Sequence, residues 1–337
     1  MRLVIALLCA CSTTELRGLD PPAPVAVESP NAEVPNAVFD DVVALGDVIA
    51  RDNCATRVMG APFRGARMLC LAATSMALVA VALDDPRRAA AIATQLEALI
   101  GHAQVATRTE PRNVLFRGLL GIMLVGLHRI ATPALKFTTL LDELAAALAH
   151  DLEGGFIASY VDRRIWPCDH APAAAFLRLH GTLRDSASTR AADVLADRLR
   201  SALATKFPTE VDARGRIVDG SERTTTLAFA ASYLLAAEPA LAREFAERVV
   251  THCDRVPLAA CREWTTGRHR ADAASGPLVG EFAIGATALA IIATRALPDL
   301  DWNAGLLRTA GLAGEGSIAP RSLEAALLAW GRVARSW

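Results

Sequence analysis

Short and long links take turns along this chain. Apolar residues recur at helical spacing and predict helices at 37–52, 64–83, 86–102, 113–131, 134–151, 169–182, 188–206, 222–236, 238–252, 277–296, 299–308 and 320–335. Pro86, Pro133, Pro239 and Pro298 each follow one segment and open the next, where a missing N–H costs nothing. Ser221, and Ser275 or Gly276, offer N-caps. Links from even to odd helices are short: Asp84–Asp85, Ala131–Thr132, Ala237–Glu238 and Leu297–Pro298, with Gly181–Ala187 slightly longer. Links from odd to even helices are long: Asn53–Phe63, Ala103–Arg112, Glu153–Cys168, Phe207–Ser221, Cys253–Gly276 and Thr309–Ala319. Successive helices run up and down, so every long link falls at the same end.

The helices themselves also alternate. Even ones, such as TTTLAFAASYLLAA, are apolar and rich in small residues; odd ones, such as ALAREFAERVVTH, carry charge. A helix apolar all round is buried, and one with a charged stripe faces water. With 53% hydrophobic but only 5% aromatic residues, the chain suits closely approaching helices rather than strands. The expected fold is all-α: an (α/α)6 toroid of about twelve helices in inner and outer rings. An open solenoid of hairpins is the alternative, against which stands the lack of a fixed-period repeat.

Three regions are expected. Residues 1–11, MRLVIALLCAC, read as a lipoprotein signal peptide and lipobox, with Cys11 the lipidation site. Residues 12–36 carry Pro21, Pro22, Pro24, Pro30 and Pro35 and read as a disordered tether. Residues 37–337 form the toroid. The chain is then exported and anchored, facing the periplasm or cell surface, with its lipid as the membrane contact. The apolar runs Met68–Leu83 and Pro277–Ala293 are short for a bilayer span. Basic and acidic residues, 35 and 36, nearly cancel without a basic stripe, which gives nucleic acid no support as a partner. Cys253 and Cys261 flank a short loop and are the favoured disulfide, whereas Cys70 reads as a core thiol. No Cys/His spacing suggests a metal, and no cofactor is expected.

The long links hold the less ordinary residues. One contains Tyr160, Arg164 and Trp166, then Cys168, Asp169 and His170 at the mouth of an inner helix. Asp169 reads as an N-cap or as a carboxylate aimed into the cavity, and His170 as a proton donor or acceptor or a plain hydrogen-bonded group. Another holds Glu263, Trp264, His269 and Asp272. Tryptophan, arginine and carboxylates together suit a polyhydroxylated ligand, through ring stacking and forked donors. Arg117 and His128 interrupt an apolar helix three turns apart and share a face; Arg117 is nearer the long-link end. Glu281 lies one turn into the tenth expected helix, as a possible partner of Asp169 in a carboxylate pair. The catalytic candidates are thus Asp169, His170, Glu281 and Asp272. The substrate-binding candidates are Tyr160, Arg164, Trp166, Arg117, Glu263, Trp264 and His269.

Through FRGLLGIMLVGLHR, IWPCDHAPAAAFLRLHG and SGPLVGEFAIGATALAI, the chain resembles the (α/α)6 toroid superfamily. That group includes six-hairpin glycosidases, polysaccharide lyases and linalool dehydratase/isomerase. The resemblance implies a small molecule or glycan held in the toroid cavity. Three functions stay open. One is a hydrolase or lyase of a glycan or polyhydroxyl substrate by carboxylate and histidine acid–base chemistry. Another is a non-catalytic lipoprotein binding a glycan or envelope partner. The third is a dehydratase or isomerase of small alcohols, in which Cys168, His128 and His170 answer to the cysteine and histidines lining that enzyme's cavity.

Overall fold

The computed structural model describes residues 34–58, 61–159, 163–184, 187–264, 271–272, 274–312, 318–319 and 321–337, so the expected leader, Cys11 and nearly all of the tether lie outside it. Among the described residues are twelve α-helices. They are α1 (Asn36–Asp52), α2 (Ala66–Asp84), α3 (Ala89–Thr109), α4 (Val114–Ile130), α5 (Leu135–Leu152), α6 (Ala171–Arg184), α7 (Ser188–Leu203), α8 (Thr224–Leu234), α9 (Pro239–Val250), α10 (Ile284–Ala293), α11 (Asp301–Leu312) and α12 (Leu323–Val333).

Burial separates them as the sequence pattern requires. All eleven residues of α8 are buried, whereas α11 buries only Asn303, Gly305 and Leu306. Each even helix packs on the next, α2 on α4, α4 on α6, and so on to α10 on α12, and α12 packs back on α2. The ring therefore closes, and the open solenoid is excluded. The closing seam is fastened at both ends. At the long-link end Arg321 donates from Nε to Asn53 O at 2.9 Å and from Nη2 to Asp52 O at 2.7 Å. At the other end Arg335 pairs with Asp84.

The ring is not hollow throughout. Tyr233 of α8 and Trp330 of α12 come from helices that are not neighbours in the ring, yet their rings lie 5.0 Å apart. They meet inside it, with the Phe229 ring tilted against Tyr233 at 4.9 Å. Below them Trp337 donates its backbone N–H to Ala236 O and lays its indole against Gly126. These aromatic residues gather at the short-link end, opposite the long-link face.

That face carries four two-stranded hairpins: β1 (Arg57–Val58) with β2 (Ala61–Pro62), β3 (Glu210–Val211) with β4 (Ile217–Asp219), β5 (Cys253–Asp254) with β6 (Ala260–Cys261), and β7 (Leu278–Val279) with β8 (Phe282–Ala283). Cys253 and Cys261 are bonded, as expected from their spacing. Cys70 is not a free core thiol. It is bonded to Cys54, because the chain leaving α1 turns back over the first turns of α2.

Other expectations need correction. Ala103–Arg112 is not a long link: its helix-forming residues extend α3 to Thr109 and leave only a turn before Asn113, whose side chain caps α4. Neither Ser221 nor Ser275 caps a helix. Thr209 donates to Ser221 O, and α8 begins later, at Thr224. The tenth helix starts at Ile284 rather than 277, because Gly280 takes a left-handed backbone (φ +62°) that turns β7 into β8.

The inner ring depends on close backbone approach. A Cβ at Gly118 would lie 2.6 Å from the backbone nitrogen of Ala173, whereas one at Gly101 on outer helix α3 would meet nothing within 4 Å. Gly118→Ala should therefore destabilise the fold by about 1–3 kcal/mol, through overpacking against backbone that cannot yield. Gly101→Ala should stabilise it by about 0.5–1 kcal/mol through helix propensity. Urea unfolding of the two variants tests this, and equal midpoints would refute the α4–α6 approach.

Candidate functional site

Three long links are stitched into one rim by single bridges: Ile165 with Val211, Arg223 with Trp264, and Arg262 with Phe282. Trp166 and Trp264 thus belong to the same face.

The first cluster forms where the link 153–170 enters α6. Pro167 opens a 3-10 turn over Pro167–His170 that packs against α4, α6, α7 and α8. The turn buries Asp169, which is 3% exposed. The expected N-cap role is not what its carboxyl does. It accepts a hydrogen bond from the Cys168 thiol, whose Sγ is 3.8 Å from Oδ1, and the Ser159 hydroxyl lies close enough to favour its ionised form. Oδ2 is buried without a hydrogen-bond partner. Burial outweighs both and pushes the carboxyl up to about 7. Asp169 therefore holds a proton near neutrality, where an ordinary aspartate is ionised.

Its neighbours have other roles. His170 accepts the Ile157 N–H at Nε2 (3.1 Å), so its Nδ1 carries the hydrogen donated to Trp166 O (3.2 Å). Burial pushes it down to about 4. Both nitrogens are committed to backbone, so His170, expected as a proton carrier, anchors the loop instead. Cys168 is an unbonded, buried cysteine, and burial raises its thiol well above its ordinary value. A thiol held protonated is a poor nucleophile.

The second cluster forms around Arg223, just ahead of α8. Its Nε lies 2.5 Å from Glu263 Oε1 and its Nη2 2.9 Å from Asp272 Oδ1, and its guanidinium sits 5.2 Å from the Trp264 ring centroid. Thr225 donates its hydroxyl to the other oxygen of Glu263. Burial pushes the Glu263 carboxyl up in spite of Arg223. Burial acts on Asp272 as well, but there the hydrogen bond and charge of Arg223 prevail and hold it below the usual carboxylate range. The 3-10 turn that holds Asp169 packs on α8, the helix that Arg223 precedes.

The remaining candidates are dispersed. Arg164 pairs with Glu210 and lies over Trp166, 5.6 Å from its centroid. Arg117 and His128 do share a face, but it is the one turned to the outer ring. Arg117 pairs with Asp151 at 2.6 Å, and His128 bonds Thr138 at 3.1 Å, both on α5. Glu281 is not inside a helix; its side chain is 80% exposed at the β7–β8 turn, 3.9 Å from Arg262. Tyr160 and His269 lie outside the described residues. Among the described residues, no group of three or more His, Cys, Asp or Glu gathers to hold a metal. A cavity of about 400 Å³ between the ends of α7 and α9 takes in none of the expected residues. Ser159 and Arg223 are not among the site residues expected from sequence, where the loop of Arg223 reads as mostly structural. Nothing marked Ser159, but Arg223 was findable by the logic that found Asp169: a charged residue at the mouth of an inner helix.

No family model matches the chain, and neither does any curated protein. Among solved structures it is similar to an inactive variant of an α-1,6-mannanase, GH76A of Salegentibacter sp. HEL1_6, in complex with α-1,6-mannotetrose. Two consecutive aspartates are replaced by alanine in that variant. The TM-score is 0.55 at 14% identity, over 88% of this chain and 98% of that one. At such identity the likeness shows the fold alone, an (α/α)6 toroid.

Asp169 and His170 together give the fold a pH signature. An unfolded Asp169 loses its proton near 3.8 but the folded one near 7, so over that interval the folded state binds more protons and stability falls as pH rises. An unfolded His170 titrates near 6.5 and the folded one near 4, so over that interval stability rises with pH. The two slopes oppose each other between about 4 and 6.5. Asp169→Asn removes the falling one, so the variant should gain up to about 1.4 kcal/mol per pH unit on the wild type from pH 4 to 6.5. Urea titrations at several pH values read this, and a difference that stays constant with pH would reject the raised carboxyl.

Proposed function

We propose that this protein is an exported enzyme that cleaves a glycan by general acid–base chemistry, with Asp169 as the acid. The observation that carries the reading is a buried carboxyl at the rim, with one unpartnered oxygen, that keeps its proton near neutral pH. A buried group whose protonation is strongly shifted is a functional-site signature, since burying it costs the fold free energy. The similar mannanase, whose structure holds a mannotetrose, supports a glycan as substrate class.

In this chemistry Asp169 gives its proton to the glycosidic oxygen as the C–O bond to the leaving sugar breaks. Water adds to the anomeric carbon, and Asp272, ionised beside Arg223, takes the proton that the water loses. Trp264 offers a stacking surface for a sugar ring. The same two carboxyl groups would serve an elimination on an acidic glycan.

The dehydratase or isomerase reading is disfavoured, because its cysteine is a buried thiol held protonated. One observation favours non-catalytic binding as the second reading. The mannanase was inactivated at two consecutive aspartates, whereas Asp169 is flanked by Cys168 and His170. This chain's own adjacent pairs, Asp40–Asp41 and Asp84–Asp85, lie on α1 and at the short-link end.

Two disulfides support export, since such bonds persist in oxidising compartments. Anchoring through a lipid on Cys11 is part of the proposal. Cys11→Ser should move the protein from the membrane to the soluble fraction of expressing cells, and unchanged fractionation would refute the anchor.

For the reaction, the purified protein is offered α-1,6-linked mannan and a panel of other glycans, and released reducing ends are measured. Asp169→Asn should lower kcat about 10²–10⁴-fold, the usual worth of a general acid, while the cooperative melt is retained. Full activity in the variant would reject the acid. Saturable glycan binding by the wild type without product would select the non-catalytic reading.

A further inference from the structure

The Arg223 cluster holds more than a binding reading uses. Arg223 is buried, with its side chain 10% exposed, and its two ends reach two carboxylates on the 251–283 link. A single Arg–Glu pair would satisfy the fold's need to bury Glu263. The second pair is what is unusual: Asp272 is only partly buried, its side chain being 44% exposed, yet both its oxygens lie within 3 Å of the same guanidinium nitrogen. The Asp272 carboxylate is also fixed from its own loop, where Oδ1 accepts the N–H groups of Ala274 at 2.9 Å and Ser275 at 2.8 Å. The guanidinium meanwhile lies over Trp264, and the backbone of Arg223 is bridged to that of Trp264. One side chain, rooted at the rigid end of an inner helix, thus sets both a carboxylate and an aromatic plane. Lysine cannot do this, because it lacks the planar fork.

We infer that Arg223 is a positioning residue for the proposed reaction: its fork fixes the Asp272 carboxylate and the Trp264 ring relative to each other, so that a sugar stacked on the indole meets an oriented, ionised base. The inference rests on the reading of Asp169 and Asp272 as an acid–base pair. The charged groups facing Asp272 among the described residues are Arg223 and, across it, Glu263.

The test has an arm that needs no turnover. Tryptophan fluorescence of the full chain is followed during acid titration, with Trp264→Phe identifying the contribution of Trp264. Protonating Asp272 releases one end of Arg223, so the Trp264 signal should step at a pH below the ordinary carboxylate range. The step should vanish in Asp272→Asn, which keeps the Arg223–Glu263 pair and hence the fold. In Arg223→Lys it should move up towards the ordinary range. An Asp272→Asn protein that titrates like the wild type would overturn the inference, whether or not any glycan is cleaved. In the second arm, on a glycan the wild type turns over, Arg223→Lys should cost about a hundredfold in kcat with KM changed far less, as misplacement of a reacting group does. A loss confined to KM would reduce Arg223 to substrate binding and overturn the positioning role. Absence of turnover in the wild type would defeat the proposed reaction and leave the fluorescence arm to decide the clamp.

Discussion

The packing of the last inner helix on the first is the contact on which the rest depends. Without α12 against α2, six hairpins would make an open stack, and links distant in sequence would never share a rim. Closure needs helices that come close, hence alanine and glycine on the inner ring. Gly118 lets α4 approach the backbone of α6, and Gly121 leaves room for the Phe176 ring. The seam is further secured by Arg321 and Arg335 at its two ends and by Cys54–Cys70 beside it. Tyr233, Trp330 and Trp337 crowd the ring's short-link end, opposite the rim that carries the long links.

At that rim the start of α8 acts as a hub. Glu222 accepts the Phe207 N–H, pairs with Arg248 and bonds His252. Arg223 takes Glu263 and Asp272; Thr224 bonds His252 and donates to Arg262 O; Thr225 reaches Glu263. Four successive residues thus hold the links 204–223 and 251–283 to one another. Buried polar groups are costly unless partnered, and partnered networks of this density fix geometry. Asp169 Oδ2, like Arg67 Nε and Gln95 Oε1, is buried without such a partner, and of these three it alone belongs to a group that burial moves to titrate near neutral pH.

The twelve helices and their two rings were legible in the sequence because burial imposes a pattern on residue type: TTTLAFAASYLLAA can only be buried, and ALAREFAERVVTH can only be half so. Loop chemistry was partly legible. Asp169, Glu263, Trp264 and Asp272 were marked by residue type and by position in long links. Their contacts were not, because a hydrogen bond between Arg223 and Asp272 joins residues 49 apart through backbone turns that no local pattern encodes. Glu281 was misjudged for a related reason. PLVGEFA suits the start of an apolar helix, and only the left-handed backbone at Gly280 makes it a hairpin. Cys70 was misjudged because its partner, Cys54, comes from the turn after α1, which carries no periodic signal. His170 was left open between proton carrier and hydrogen-bonded group, because both its bonds go to backbone atoms, which sequence does not display.

Two carboxylates set side by side must share a proton, since like charges at short range do not both ionise. That is one way to keep an acid and a base in the same site. A chain with Cys168 and His170 on either side of its rim aspartate does not use it there. Its alternative is to give two carboxyl groups unlike surroundings. Asp169 sits in the 3-10 turn ahead of α6, where burial exceeds what Ser159 and Cys168 return. Asp272 sits on a partly open loop with Arg223 and two backbone N–H groups on it. The protonated form is favoured at the first and the ionised form at the second, over the same range of pH. In the proposed chemistry this separation replaces a shared proton, and it makes Arg223 as consequential as either carboxylate: without the cation, burial would act on both aspartates in the same direction, and the difference in protonation that acid–base chemistry needs would narrow.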